Sequence, residues 1–109
     1  MSSPIPLPVD RTLKRLGHNL ALARLRRNLS QEALAQRVGA SVNTVRRMEA
    51  GYPGTALQHF ARALHVFGEL AGLEQLLDTA QDTIGLALMD ENVRRRARLP
   101  KTGANSGAF

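Results

Sequence analysis

Three positions constrain this chain more than any others: Ala35, Gly39 and Val45. A small residue, a glycine four positions later and an aliphatic six positions after that lie inside two short apolar-patterned stretches, Gln31–Val38 and Val42–Ala50. Two helices crossing at close range need the small side chain. The link between them needs a left-handed residue, which glycine adopts without strain. Val45 then closes the small core from the second helix. Ser30 and Ser41 stand where N-caps belong, and Glu32 lies at the positive end of the first helix dipole. The segment from Gln31 to about Gly51 is therefore expected to be two helices joined by a tight turn. An ordinary helical hairpin would satisfy the same spacing, so spacing alone leaves function open.

The surrounding pattern is helical throughout. Leu13, Leu16, Leu20 and Ala23 form an apolar stripe from about Asp10, with Asp10 or Thr12 as cap and an end near Arg27-Asn28. Thr55 is expected to cap a fourth helix to about Phe67, with Leu57, Phe60, Ala61 and Leu64 inward. A fifth, Glu69 to Thr79, places Leu70, Leu73, Leu76 and Leu77 inward, and a sixth runs from Asp82 to about Glu91. Aromatic residues are few, so the core must be aliphatic. The fold class is all-α: a five-helix repressor-like domain with a helix-turn-helix, a short C-terminal helix and a mobile tail. The expected division is 1–9 flexible, because of Pro4, Pro6 and Pro8; 10–79 the domain; 80–91 a helix for dimer or partner contact; 92–109 a basic flexible tail.

Composition narrows the function classes. The 15 Lys and Arg exceed the 9 Asp and Glu by 6, and only Lys14 and Lys101 are lysines. Guanidinium forks suit phosphate, though a solvated basic surface would give the same balance. The chain has no cysteine, which removes disulfides and Cys-based zinc sites. No apolar run reaches the ~20 residues a membrane helix needs, and Met1–Val9 lacks the pattern of a signal peptide; a cytoplasmic protein is expected. His18, His59 and His65 lack metal-ligand spacing, and Asp78, Asp82, Asp90 and Glu91 are expected on a solvated face. Neither a phosphate loop nor a nucleophile elbow occurs. No enzyme, metal or cofactor is expected.

Leu29-Ser-Gln-Glu-Ala-Leu-Ala-Gln-Arg-Val-Gly39, followed by Ser41-Val-Asn-Thr-Val-Arg-Arg-Met-Glu-Ala-Gly51, strongly resembles the Cro/repressor (Xre) helix-turn-helix family, and the likeness extends over roughly 16–68. It implies that the second helix enters the major groove of double-stranded DNA. Ser41, Val42, Asn43 and Thr44 would then face the bases, with Arg46 and Arg47 one turn on. Asn43 suits an adenine edge, either arginine suits guanine, and Val42 suits a thymine methyl. For each of the two arginines, phosphate clamping without base reading stays open. Gln31 would contact the DNA backbone, with Arg26 and Arg27 as further phosphate candidates. The resemblance also implies that Arg24 and Glu49 pair inside the domain, where either charge alone would be poorly compensated. Ala50 stands where the family often has Asn or Arg.

One short helix contacts few bases, so a homodimer on an inverted-repeat operator is expected. Leu70, Leu73, Leu76, Leu77, Ile84, Leu86 and Leu88 exceed what a five-helix core needs. They would form a twofold interface or, alternatively, close the monomer core. A further likeness, to HipB-like antitoxins of HipA-type kinase toxins, lies in Pro53-Gly54, Leu57, Phe60–Leu64, Asp82, Ile84-Gly85-Leu86 and the basic ending through Leu99-Pro100-Lys101. It implies an autoregulating repressor that also binds a kinase toxin. A stand-alone or phage-type repressor, and an interaction module that lost DNA binding, are the other readings.

Overall fold

Helix α1 spans Leu7–Arg26, α2 Gln31–Val38, α3 Val42–Glu49, α4 Leu57–Phe67, α5 Leu70–Glu74 and α6 Thr83–Arg98, with one 3-10 turn at Thr79–Gln81. The computed structural model describes residues 4–98, and no strand occurs among them. The molecule divides into two compact units, Met1–Leu73 and Glu74–Phe109.

In the first unit α3 packs on α1 and α2, and α4 on α2. Leu20, Leu29, Leu34, Ala35, Val38, Val45, Met48, Ala63 and Phe67 form the core, with Leu34 and Val45 fully enclosed. Phe67 apart, the core is aliphatic or thioether. Burial of each large side chain contributes about 1.5–3 kcal/mol.

Local chemistry fixes the helix-turn-helix. The Ser30 hydroxyl accepts from the Ala33 amide at 3.0 Å, capping α2. The Ala35 carbonyl accepts from the Gly39 and Ala40 amides at 2.9 and 3.0 Å, and Gly39 takes φ 78°. That left-handed residue turns the chain into Ser41, whose hydroxyl accepts from the Thr44 amide at 3.1 Å and caps α3. Arg62 reaches back from α4 to donate to the Val38 carbonyl at 3.2 Å.

Several boundaries differ from the expectation. Helix α1 starts at Leu7 rather than near Asp10, with Pro8 in its first turn. Proline suits that position because its fixed φ is helical and its missing N–H has no intrahelical partner there. Neither Asp10 nor Thr12 caps it: the N-cap is Pro6, the Thr12 hydroxyl donates to the Pro8 carbonyl, and Asp10 pairs with Lys14 at 2.9 Å. The N-cap of α4 is Ala56, while the Thr55 hydroxyl donates to the Tyr52 carbonyl. The inward face of α4 is turned relative to the expected one. Ala63 and Phe67 are buried and Phe60 packs beside them, whereas Leu57 is exposed. Phe60, Ala63 and Phe67, at i, i+3 and i+7, share the face that meets the core.

Helix α5 ends at Glu74, five residues short of Thr79, and buries none of its residues. A Gly72 inside so short an element weakens it. In the second unit α6 continues to Arg98 instead of stopping near Glu91. Asp82 stands just before it, and its carboxylate accepts from the Gly85 amide at 2.9 Å, an N-cap bond. Arg95, Arg96 and Arg98 in the last turn favour the negative end of its dipole. Residues 92–98, expected as part of a flexible tail, are thus helical. The remainder of that tail, 99–109, and the first three residues lie outside the described residues.

Candidate nucleic-acid interface

Helix α3 turns Val45 and Met48 into the core. Asn43, Arg46 and Arg47, together with Ala50 just beyond the helix, are exposed. At i, i+3, i+4 and i+7 these positions share one helix face. Among the described residues, the Asn43 and Arg46 side chains have no hydrogen bond or ion pair. The Arg47 guanidinium lies over the Tyr52 ring, 5.6 Å from its centroid, which orients it. An exposed amide and two guanidiniums on one helix face match the groups that recognise purine edges and phosphates.

The other expected contact residues fall elsewhere. The Ser41 hydroxyl is the α3 cap and also shares a 3.1 Å hydrogen bond with the Thr44 hydroxyl. Val42 is half-buried against the core. Gln31 points its amide at Glu49, donating to Oε1 at 2.9 Å. Arg26 is exposed and has no hydrogen bond or ion pair among the described residues. Arg27 is held to α4: it donates to the Ala23 and Phe67 carbonyls at 2.9 and 3.1 Å, and its guanidinium lies 4.8 Å from the Phe67 ring centroid. It satisfies the carbonyl end of α4 while remaining exposed.

Arg24 and Glu49 meet across α1 and α3. Arg24 Nε and Nη2 donate to the two carboxylate oxygens at 2.6 and 3.1 Å, and Nη1 donates to the Leu29 carbonyl at 2.8 Å. The side chains are 11% and 7% exposed, so water competes little. With Gln31 added, Glu49 ties the last residue of α3 to α1 and to the first residue of α2. The fork also bridges to the chain entering α2, so all three helices are set by one carboxylate.

Two glycines complete that arrangement. A Cβ on Gly17 would lie 2.6 Å from the carbonyl oxygens of Met48 and Glu49; one on Gly51 would lie 2.6 Å from the Lys14 Cα. Backbone therefore meets backbone where α1 crosses the end of α3. Gly51 also takes φ 76°. Beside the exposed face, a cavity of about 210 Å³ is lined by Thr44, Arg47, Tyr52, Gly54, Thr55, Ala56 and His59. Sequence reasoning gave Tyr52, Thr55 and His59 no place beside the reading helix, taking Thr55 only as a helix cap and His59 only as a histidine without metal-ligand spacing. The signal available was Tyr52 five residues after Arg47, within reach of its guanidinium past the helix end. No group of three metal-ligating side chains occurs among the described residues.

This geometry defines a helix-turn-helix domain of the DNA-binding type. Residues 15–77, more than half of the chain, match the family model described as a helix-turn-helix domain, and the chain belongs to that family. Its Xre-like character and its place among DNA-binding regulators follow from that membership. No curated protein and no solved structure matches the chain. Among the described residues, no helix is long and apolar enough to cross a membrane.

Proposed function

We propose that this protein is a sequence-specific transcriptional repressor that binds an inverted-repeat operator as two copies, each placing α3 in the major groove. One observation carries the reading. Asn43 and Arg46 stand exposed and uncommitted on α3, beside an Arg47 held by Tyr52, while Glu49 at the end of the same helix is locked to α1 and α2. A base-reading helix needs both: open polar groups, and a rigid mounting that sets their register on the duplex. Ser41, Val42 and Thr44 sit at the end of α3 that approaches the groove. Gln31 acts mainly through Glu49, and Arg26 is the phosphate contact from α1.

The finer reading is an antitoxin that represses its own operon and binds a HipA-like kinase toxin. It rests on the likeness of residues 53–64 and 82–101 to HipB-type chains. Co-purification of the chain with a kinase encoded beside it supports the antitoxin; a neighbouring region without such a kinase favours the stand-alone repressor.

The test is a footprint on the DNA upstream of the gene, repeated with Asn43→Ala and Arg46→Ala. Each variant is expected to lose about 1–3 kcal/mol of specific binding while keeping its melting temperature. Footprints identical to that of the unaltered protein would remove α3 as the reading element.

A further inference from the structure

The cavity beside α3 is lined by hydrogen-bond donors and by no carboxylate. Arg47 reaches it from the last turn of α3, Tyr52 from the loop that follows and His59 from the first turn of α4. Among the described residues, the Arg47 guanidinium, the Tyr52 hydroxyl and the His59 imidazole make no hydrogen bond or ion pair. The two threonine hydroxyls in the lining are already engaged, Thr44 with Ser41 and Thr55 with the Tyr52 carbonyl. No side chain caps α4 at Ala56, which also lines the cavity, so the positive end of that helix dipole adds to the charge of Arg47.

Tyr52 is held in place to serve this site. Its ring lies between the Arg47 guanidinium, 5.6 Å from the centroid, and the backbone of Gly54. A Cβ on Gly54 would stand 2.6 Å from Tyr52 Cε2 and 2.7 Å from its Oη. Gly54 is not in the left-handed region, so a side chain there would displace the ring and leave the backbone alone.

At about 210 Å³ the cavity is smaller than the roughly 300–1,000 Å³ of pockets that take drug-sized ligands, and it suits one small oxyanion. Donors from three segments match the acceptor directions of a tetrahedral oxyanion better than those of a planar carboxylate, and a guanidinium fork favours phosphate oxygens.

We propose that Arg47, Tyr52 and His59 form a site for one phosphate group, taken either from free phosphate or from the DNA backbone beside the groove that α3 enters. Only the second source rests on the operator reading above. The site assigns Arg47 to phosphate and leaves base reading to Asn43 and Arg46.

Two titrations of the full chain test it. Inorganic phosphate, added at an ionic strength held constant with chloride, is expected to shift the amide resonances of residues 52–59 to saturation. The upstream repeat and a scrambled duplex are then titrated at several salt concentrations. There Arg47→Ala is expected to reduce the salt slope by about 1 on both duplexes alike and to keep the preference between them. His59→Ala is expected to weaken phosphate binding, or binding to both duplexes equally, by about three- to tenfold. Gly54→Ala is expected to weaken the same binding about two- to fivefold, with helix content unchanged by circular dichroism. Saturation by phosphate with DNA binding untouched assigns the site to free phosphate. The change of slope without saturation assigns it to the DNA backbone. A His59→Ala variant equal to the unaltered protein in both titrations, or an Arg47→Ala variant that erodes sequence preference as Arg46→Ala does, overturns the proposal. A chain that holds phosphate and ignores its upstream DNA upholds the site and overturns the operator reading.

Discussion

Glu49 accepts three hydrogen bonds from two residues, Arg24 Nε and Nη2 and Gln31 Nε2. Removing the carboxylate leaves a nearly enclosed guanidinium without its counter-charge. Glu49→Ala is therefore expected to cost about 3–5 kcal/mol, read as a lower denaturation midpoint. Gln31→Ala removes one charge-assisted bond and is expected to cost about 1.5–3 kcal/mol in the same titration. Unchanged stability in Gln31→Ala would show that its amide is free to serve DNA instead. The pairing of Arg24 with Glu49 was legible in the sequence only through family likeness. No spacing rule joins residues 25 apart, and the part of Gln31 was hidden because its position suggested a backbone contact. The contact of Arg27 with α4 was hidden for a related reason: no spacing rule joins it to the Phe67 carbonyl and ring, 40 residues on.

At the scale of elements, α2 and α3 were readable because their signals are local. Ser30 and Ser41 cap, Gly39 turns, and Leu34, Ala35, Val38, Val45 and Met48 repeat at helical spacing. The rotation of α4 and the short α5 were not readable, because tertiary packing decides them. The spacing of Leu57, Phe60, Ala61 and Leu64 gave α4 an inward Leu57, but the helix buries Ala63 and Phe67 and leaves that leucine exposed. The crossing of α1 and α3 depends on what is missing at Gly17 and Gly51, which a sequence shows only as two glycines. Gly51→Ala meets both a left-handed backbone and the Lys14 backbone. It is expected to lower the melting temperature sharply. Gly72 has open space around its Cβ position, so Gly72→Ala is expected to stabilise by up to about 1 kcal/mol. Differential scanning calorimetry of the two variants compares them directly; equal behaviour would contradict the close crossing.

For the whole molecule, the net charge of +6 and the open arginines predict electrostatic association with DNA. The logarithm of the binding constant is expected to fall linearly with the logarithm of salt concentration, and Arg26→Ala to reduce that slope by about 1 without changing sequence preference. Asn43→Ala is expected to do the reverse, leaving the slope and eroding preference. The most direct measurement of the central claim, that α3 reads bases from a mounting fixed by Glu49, is fluorescence anisotropy with two duplexes. One is the footprinted upstream repeat and the other a scrambled duplex of equal length. The unaltered protein is expected to prefer the repeat by about a thousandfold or more, and Asn43→Ala and Arg46→Ala to give up roughly tenfold or more of that preference each. Equal affinity for both duplexes, or a preference untouched by either substitution, would contradict it.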